Sequence, residues 1–537
     1  MAESSTTLPP STPSLKEQKE LFVTGHDGTS PWEILLVCSA APIGIWLFQS
    51  IRALERYVQD DNNKRRQQQP ANPTASIAME AALLWFPVLV CQTNLLYPWG
   101  AILLYLQVQL CVLIYLYFWT TKRWMRIKGM QQQPINNLDT VQEEEGDPDE
   151  MEQKVVSEEQ QIMKDSMTVY RSSLQYLTFV AILAVDFHIF PRRFAKTEVA
   201  GYGLMDLGAG SFVVAAGLVS SRARHSRQQA KKSSISFGQR DVIRIAPLWI
   251  IGFIRLATNK GLEYQEHVSE YGVHWNFFFT LAMVTPLGSM LPGNPNWIVP
   301  ICLLAAYQVA LTQYGGQEFI ENAPRTHCSS TALAALAGEN EILLNLCTLF
   351  AANREGVLGC IGYLFLYLAS EYIAFAFLWT KGAQTASSSL WVIAVGLWLL
   401  LYGLSECLEI AVSRRSTNAS FCVWTLAHSM LILAVIHAAM GFYEDPKQSA
   451  QAANNGRPRV PIVFQAVNRH GFLSFLIANL LTGLTNLTIN TLEVSDPVAF
   501  IILFVYLSAV GFSALALHYA MAKVAKSNEK VEKEKKE

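Results

Sequence analysis

Charge is scarce in this chain. Asp, Glu, Lys and Arg make up 16% of its 537 residues, where about 25% is usual for a soluble domain. That excludes an ordinary water-facing surface, and at a net charge of −2 no nucleic-acid partner is expected. The nine cysteines contain no CxxC pair. Eight of them fall in or beside apolar runs, and Cys328 alone sits in a polar loop. Neither a disulfide framework nor a zinc site is indicated, and no His/Asp/Glu cluster has metal-ligand spacing. The N-terminal arm, 1–33, lacks the basic start and apolar core of a cleaved signal peptide. Internal repeats are too weak to argue from.

Apolar residues, by contrast, make up 51% of the chain. They are gathered into runs of roughly 17–22 residues, the length that crosses a ~30 Å hydrocarbon core at 1.5 Å per residue. The fold class is all-α, a polytopic integral membrane protein of about thirteen transmembrane helices. The expected spans are 34–51, 77–96, 98–120, 174–190, 204–220, 242–256, a seventh opening at about 277, then 297–311, 357–378, 390–410, 421–442, 470–489 and 498–519. They form one membrane domain, 34–520, followed by a charged tail, 521–537. The acidic block Glu143-Glu-Glu145-Gly-Asp147 makes about 129–168 read as a disordered loop.

An odd number of spans puts the termini on opposite sides. With the N-terminus luminal, the cytosolic loops and tail hold 30 of the 41 Lys and Arg, in agreement with the positive-inside rule. The tail then faces the cytosol, where Lys533 and Lys535 read either as a dilysine retrieval signal for the endoplasmic reticulum or as ordinary solvated charge.

Against this frame stands Ala184-Val-Asp186-Phe-His-Ile-Phe-Pro191-Arg192-Arg193-Phe-Ala-Lys196-Thr-Glu198, followed by Met205-Asp206-Leu-Gly208-Ala-Gly210-Ser211. An ionisable side chain at the bilayer centre costs roughly 2.5–3.5 kcal/mol. Such a group is either paired for structure or retained for function. An Asp near a Lys is a structural ion pair, or a catalytic pair in which the carboxylate takes a proton and the ammonium steadies negative charge. The topology puts this knot at the luminal end of span four, where three basic residues run against the positive-inside trend. Neighbouring carboxylates are the expected counter-charges.

His274-Trp275-Asn276, at the luminal mouth of span seven, reads as a head-group binder or as an interfacial Trp with hydrogen-bonded neighbours. Arg414-Arg415 reads as an interfacial anchor or a phosphate partner. Asn479, Thr482, Thr485 and Asn486 place polar groups along span twelve, for helix packing or a polar cavity wall. The glycosylation patterns at Asn418 and Asn486 lie against or within spans and read as chance matches. A secondary transporter would use midplane carboxylates, but its paired broken helices are not evident.

These segments, with Lys19-Glu-Leu-Phe-Val23-Thr-Gly25, Asn353-Arg354-Glu355-Gly356 and Ala478-Asn479-Leu-Leu-Thr482-Gly483-Leu-Thr485-Asn486-Leu, resemble the inositol acyltransferase family of glycosylphosphatidylinositol (GPI) anchor biosynthesis. The resemblance covers almost the whole chain in order. It implies a multispan enzyme of the endoplasmic reticulum whose partners are membrane lipids, acyl-CoA and glucosaminyl-phosphatidylinositol. A fatty acyl group, typically palmitoyl, passes from acyl-CoA to the inositol ring, so acyl-CoA is a co-substrate and no permanently bound cofactor is expected. It also implies that Asp186 and Lys196 are the catalytic pair. On this reading Asp186 is the base or orients the hydroxyl, and Lys196 stabilises the tetrahedral intermediate. Asp206 holds Lys196 or the amino sugar. Arg192, Arg193 and His274, with Trp275 and Asn276, meet lipid or CoA groups.

Overall fold

The structure is a computed structural model that describes residues 15–62, 73–131, 148–224, 239–261, 268–291, 293–325, 340–379, 383–441 and 459–534. Among these the architecture is helical, and the one β-bridge joins Thr29 to Tyr202. In chain order the helices are α1 (Leu15–Val23), α2 (Pro31–Cys38), α3 (Ala40–Asn62), α4 (Pro73–Glu80), α5 (Phe86–Cys91), α6 (Trp99–Gln131), α7 (Pro148–Ala184), α8 (Leu204–Leu218) and α9 (Ser221–Arg224). Next come α10 (Gln239–Gly261), α11 (Val268–Tyr271), α12 (Phe277–Met290), α13 (Ile298–Gln313), α14 (Gly316–Asn322), α15 (Glu341–Ala352) and α16 (Arg354–Ile373). The last are α17 (Ala383–Tyr402), α18 (Ala419–Gly441), α19 (Ile462–Arg469), α20 (Gly471–Thr488) and α21 (Asp496–Glu534).

The centre of the bundle is α7, α8, α16 and α18, which pack on one another. Helix α18 is apolar all round and 89% buried, as a helix without a polar face must be. Helix α6, of similar composition, is only 22% buried and shows Leu106, Leu113 and Trp119 outward, the pattern of a lipid-facing span. Small residues let the central helices approach closely. A Cβ on Gly210 of α8 would stand 2.6 Å from Thr425 of α18, and one on Gly217 would collide with Ser370 and Tyr367 of α16.

Among the described residues eight helices suffice by length and composition to cross a membrane, or nine if α13 and α14, bent by 67°, form one broken span. Every expected span falls on a helix. Four of them, however, fall on α7, α8, α10 and α12, which are too short or too polar to count by that standard. Thirteen crossings therefore do not follow from length and composition alone.

Three other expectations change. The loop expected over 129–168 is helical from Pro148. Met163, Met167 and Tyr170 form a buried stripe at helical spacing, which the neighbouring acidic block obscured. The tail at 521–537 continues α21 as far as Glu534. Cys347 is disulfide-bonded, a pairing that local Cys spacing does not reveal. Cys38, Cys91, Cys111, Cys302, Cys360, Cys407 and Cys422 are free thiols, and Cys328 lies outside the described residues.

Candidate active site

The site begins where α7 stops. The carbonyls of the turn that follows it are gathered by Arg192. That guanidinium donates from Nη1 to the Val185 carbonyl (2.8 Å) and from Nη2 to those of Phe187 and Phe190 (both 2.9 Å). The ring of Phe22 lies under it, 4.0 Å from centroid to guanidinium carbon. Arg192 thus caps the helix and holds the turn that carries Asp186. Arg193 pairs with Glu33 of α2 at 2.9 Å. Neither arginine lines the cavity described below.

Asp186 is buried. Its Oδ2 accepts a hydrogen bond of 2.7 Å from Nδ2 of Asn486, on α20. The charges of Lys19, Arg192 and Lys196 act on it as well.

Lys196 points its ammonium at Glu270 of α11, 2.5 Å away. Burial alone would raise Glu270, but Lys196 and then Arg414 override it and hold the carboxyl at about 2. Arg414 is buried and bridges two acids, 3.1 Å from Glu270 and 2.6 Å from Asp206. Asp206 in turn accepts from the backbone N–H (2.9 Å) and hydroxyl (2.8 Å) of Thr197, the residue after Lys196. The chain Lys196–Glu270–Arg414–Asp206–Thr197 therefore closes into a ring. Asp206, expected to hold Lys196 or an amino sugar, holds the backbone beside Lys196 instead. It is fully buried, because α8 starts directly under the 195–197 segment.

Gly272, at φ +104°, lets the chain turn from Glu270 towards the next segment, and a Cβ there would stand 2.5 Å from the Asn353 Cα. Asn276 caps α12 through its side-chain oxygen and donates to the Gly252 carbonyl at 3.0 Å. Trp275 donates to the Thr280 hydroxyl at 2.9 Å. The backbone N–H of His274 donates to Asn353 at 2.7 Å, and its side chain does not line the cavity.

Asp186, Lys196, Glu270, Trp275 and Asn276 border one cavity of about 480 Å³. Its remaining wall is largely apolar, with Ile182, Met205, Phe212, Leu281 and Phe475 among the lining residues. Asn479 and Thr482 of α20 and Arg255 of α10 also border it. The chamber therefore has charged groups at one end and hydrocarbon along its length. The sequence singled out Asp186, Lys196, Trp275 and Asn276 for this site, and missed Glu270, Arg414 and the Asn486 contact. Glu270 stands four residues before His274, which was the available signal. Arg414 read equally well as an interfacial anchor.

Fold and cavity together define a multispan helical membrane protein with a charged reaction chamber set among apolar walls. The chain belongs to the GWT1 family, whose profile matches residues 15–517. It is 33% identical over 543 residues to GPI-anchored wall transfer protein 1 of Gibberella zeae, covering 95% of this chain and 98% of that one. The Yarrowia lipolytica protein of the same name is 36% identical over 382 residues, or 66% of this chain and 72% of that one. The Bos taurus glucosaminyl-phosphatidylinositol-acyltransferase PIGW is 33% identical over 380 residues, or 64% and 71%.

Proposed function

We propose that this chain acylates the inositol ring of glucosaminyl-phosphatidylinositol, taking a long-chain fatty acyl group from acyl-CoA, in GPI-anchor biosynthesis at the endoplasmic reticulum. The observation that carries this reading is the cavity itself, which joins an acid–base pair to an apolar channel. Its α7 wall is lined from Leu174 to Ile182, about 12 Å at 1.5 Å per residue, and is apolar there apart from Gln175 and Thr178, a surface an acyl chain can lie along.

In the reaction an inositol hydroxyl attacks the thioester carbonyl. Asp186 accepts the hydroxyl proton through the oxygen that Asn486 leaves unbonded. Lys196 stabilises the oxyanion of the tetrahedral intermediate. The intermediate collapses with loss of the CoA thiolate, which leaves the acyl group as an ester on the ring. Glu270, itself held by Arg414, keeps the Lys196 ammonium in place. Arg255, at the cavity wall, stands where a substrate phosphate is within reach of the same chamber.

The orientation we propose puts the N-terminus and the reacting end in the lumen, with the C-terminus cytosolic. The bonded Cys347 supports this, since disulfides persist in oxidising compartments. Its helix, α15, ends beside the site, where the Ala352 carbonyl accepts from Val273 at 3.0 Å.

The test is acyl transfer in microsomes given labelled palmitoyl-CoA and a glucosaminyl-phosphatidylinositol analogue. The expected result is an acyl-inositol product from the wild type and its loss in Asp186→Asn and Lys196→Ala at equal protein level. Intact transfer by either variant overturns the mechanism, and no product from the wild type overturns the reaction.

A further inference from the structure

We propose that the N-terminal helix α1 is part of the reacting site, and that Lys19, acting through Asn486, is a positioning residue for Asp186. This rests on the reading of Asp186 as proton acceptor and extends it.

The Asn486 side chain has three of its four hydrogen-bonding directions assigned. Its Nδ2 donates to Asp186 Oδ2 (2.7 Å) and to the Thr482 carbonyl one turn back (3.3 Å). Its Oδ1 accepts from the Lys19 ammonium at 3.3 Å. An amide has two nearly isosteric orientations, and the contact with Lys19 distinguishes them. A flipped Asn486 would turn its NH₂ towards the ammonium and its oxygen towards the carboxylate, which is repulsive at both ends. Lys19 therefore holds the amide in the one orientation that ties down Oδ2 and leaves the other Asp186 oxygen for the substrate hydroxyl.

The rest of the arm is built to keep Lys19 there. The Phe22 ring supports Arg192 and meets His188 edge-on at 4.5 Å. Val23 lines the cavity. The His26 carbonyl accepts from the Glu198 N–H at 3.0 Å, and the Thr29 N–H donates to the Tyr202 carbonyl at 2.9 Å. Each contact joins the arm to the 186–203 segment that carries both catalytic groups.

The charged groups acting on Asp186 are Lys19 from α1 and Arg192 and Lys196 from its own segment, with the neutral Asn486 facing it from α20. All three cations favour the ionised carboxylate. Removing one raises the pKa of Asp186, so a higher pH is needed to deprotonate it.

The experiment measures kcat, KM for each substrate and the pH dependence of kcat in the full-length protein. The variants are Lys19→Met and Lys19→Arg, with Leu21→Ala, exposed on the same helix, as control. Lys19→Met is expected to lower kcat about tenfold, the scale of a small misplacement of a reacting group, with both KM values held and the acid limb moved to higher pH. Lys19→Arg restores the limb, and Leu21→Ala behaves as wild type. A Lys19→Met enzyme with wild-type kcat and limb overturns the proposal, as does Lys19→Arg failing equally. Asp186→Asn, run alongside, separates the two levels. If it is inactive while Lys19→Met is normal, only the positioning role falls. If it is active, the base reading falls too.

Discussion

At the scale of single residues, Lys196 and Asp186, the pair proposed for catalysis, do not touch by ion pairing. Lys196 spends its charge on Glu270, while Asp186 sits against a neutral amide. On the proposed mechanism that separation keeps the base available and the cation anchored. Glu270, held at about 2, stays ionised through any workable assay, so the acid limb of the rate belongs to Asp186. A Glu270→Gln variant should lower kcat while leaving the shape of that limb largely intact, and a pH profile of both proteins checks this. Arg414 bridges two acids in the interior, and removing one partner of a buried pair costs about 3–5 kcal/mol. Arg414→Ala should accordingly unfold at markedly lower temperature in detergent, a loss read by thermal melting, and Arg414→Lys should recover part of it. None of this ring could be read in the sequence beyond its members in the 186–206 segment. Glu270 and Arg414 come from loops 74 and 218 residues beyond Lys196, and only the folded bundle brings them together.

At the scale of elements, the four helices that fail a simple membrane-crossing standard are also walls of the cavity: α7, α8, α10 and α12. Polar side chains and shortened helices are tolerated at membrane depth where they line a cavity or are covered by protein, so their departure from the rule marks the site. The apolar runs and the small-residue character of α8 were legible in the sequence. Which glycine faces where was not, because that depends on the rotation of the helix against its neighbours. Gly208 borders the cavity and a Cβ there meets nothing, whereas Gly217 is pressed against α16. Gly208→Leu should therefore fold normally but obstruct the chamber, with activity falling more for long than for short acyl donors. Gly217→Leu should reduce the yield of folded protein instead. Comparing transfer of palmitoyl and shorter acyl chains by the Gly208 variant, alongside size-exclusion profiles of both, distinguishes the two effects.

At the scale of the whole molecule, the fold class could be read in the sequence because hydrocarbon length imposes a pattern on composition. The placing of the arm before the first span could not: Lys19 reaches Asn486 of α20, Phe22 stacks on Arg192 and Glu33 pairs with Arg193. These are isolated contacts that leave no periodic trace. The same gathering of distant segments puts Asp186, Lys196, Glu270 and Arg414 at one end of the bundle and the apolar channel behind them. The central claim is that the acyl chain lies in that channel with its thioester at Asp186. Photolabelling with an acyl-CoA that carries a diazirine near its terminal carbons, followed by mapping of the labelled peptides, tests it directly. The account predicts labelling on α7, α8 and α20, and its loss when Gly208→Leu fills the chamber. Labelling confined to the lipid-facing α6 and unaffected by that substitution would contradict it.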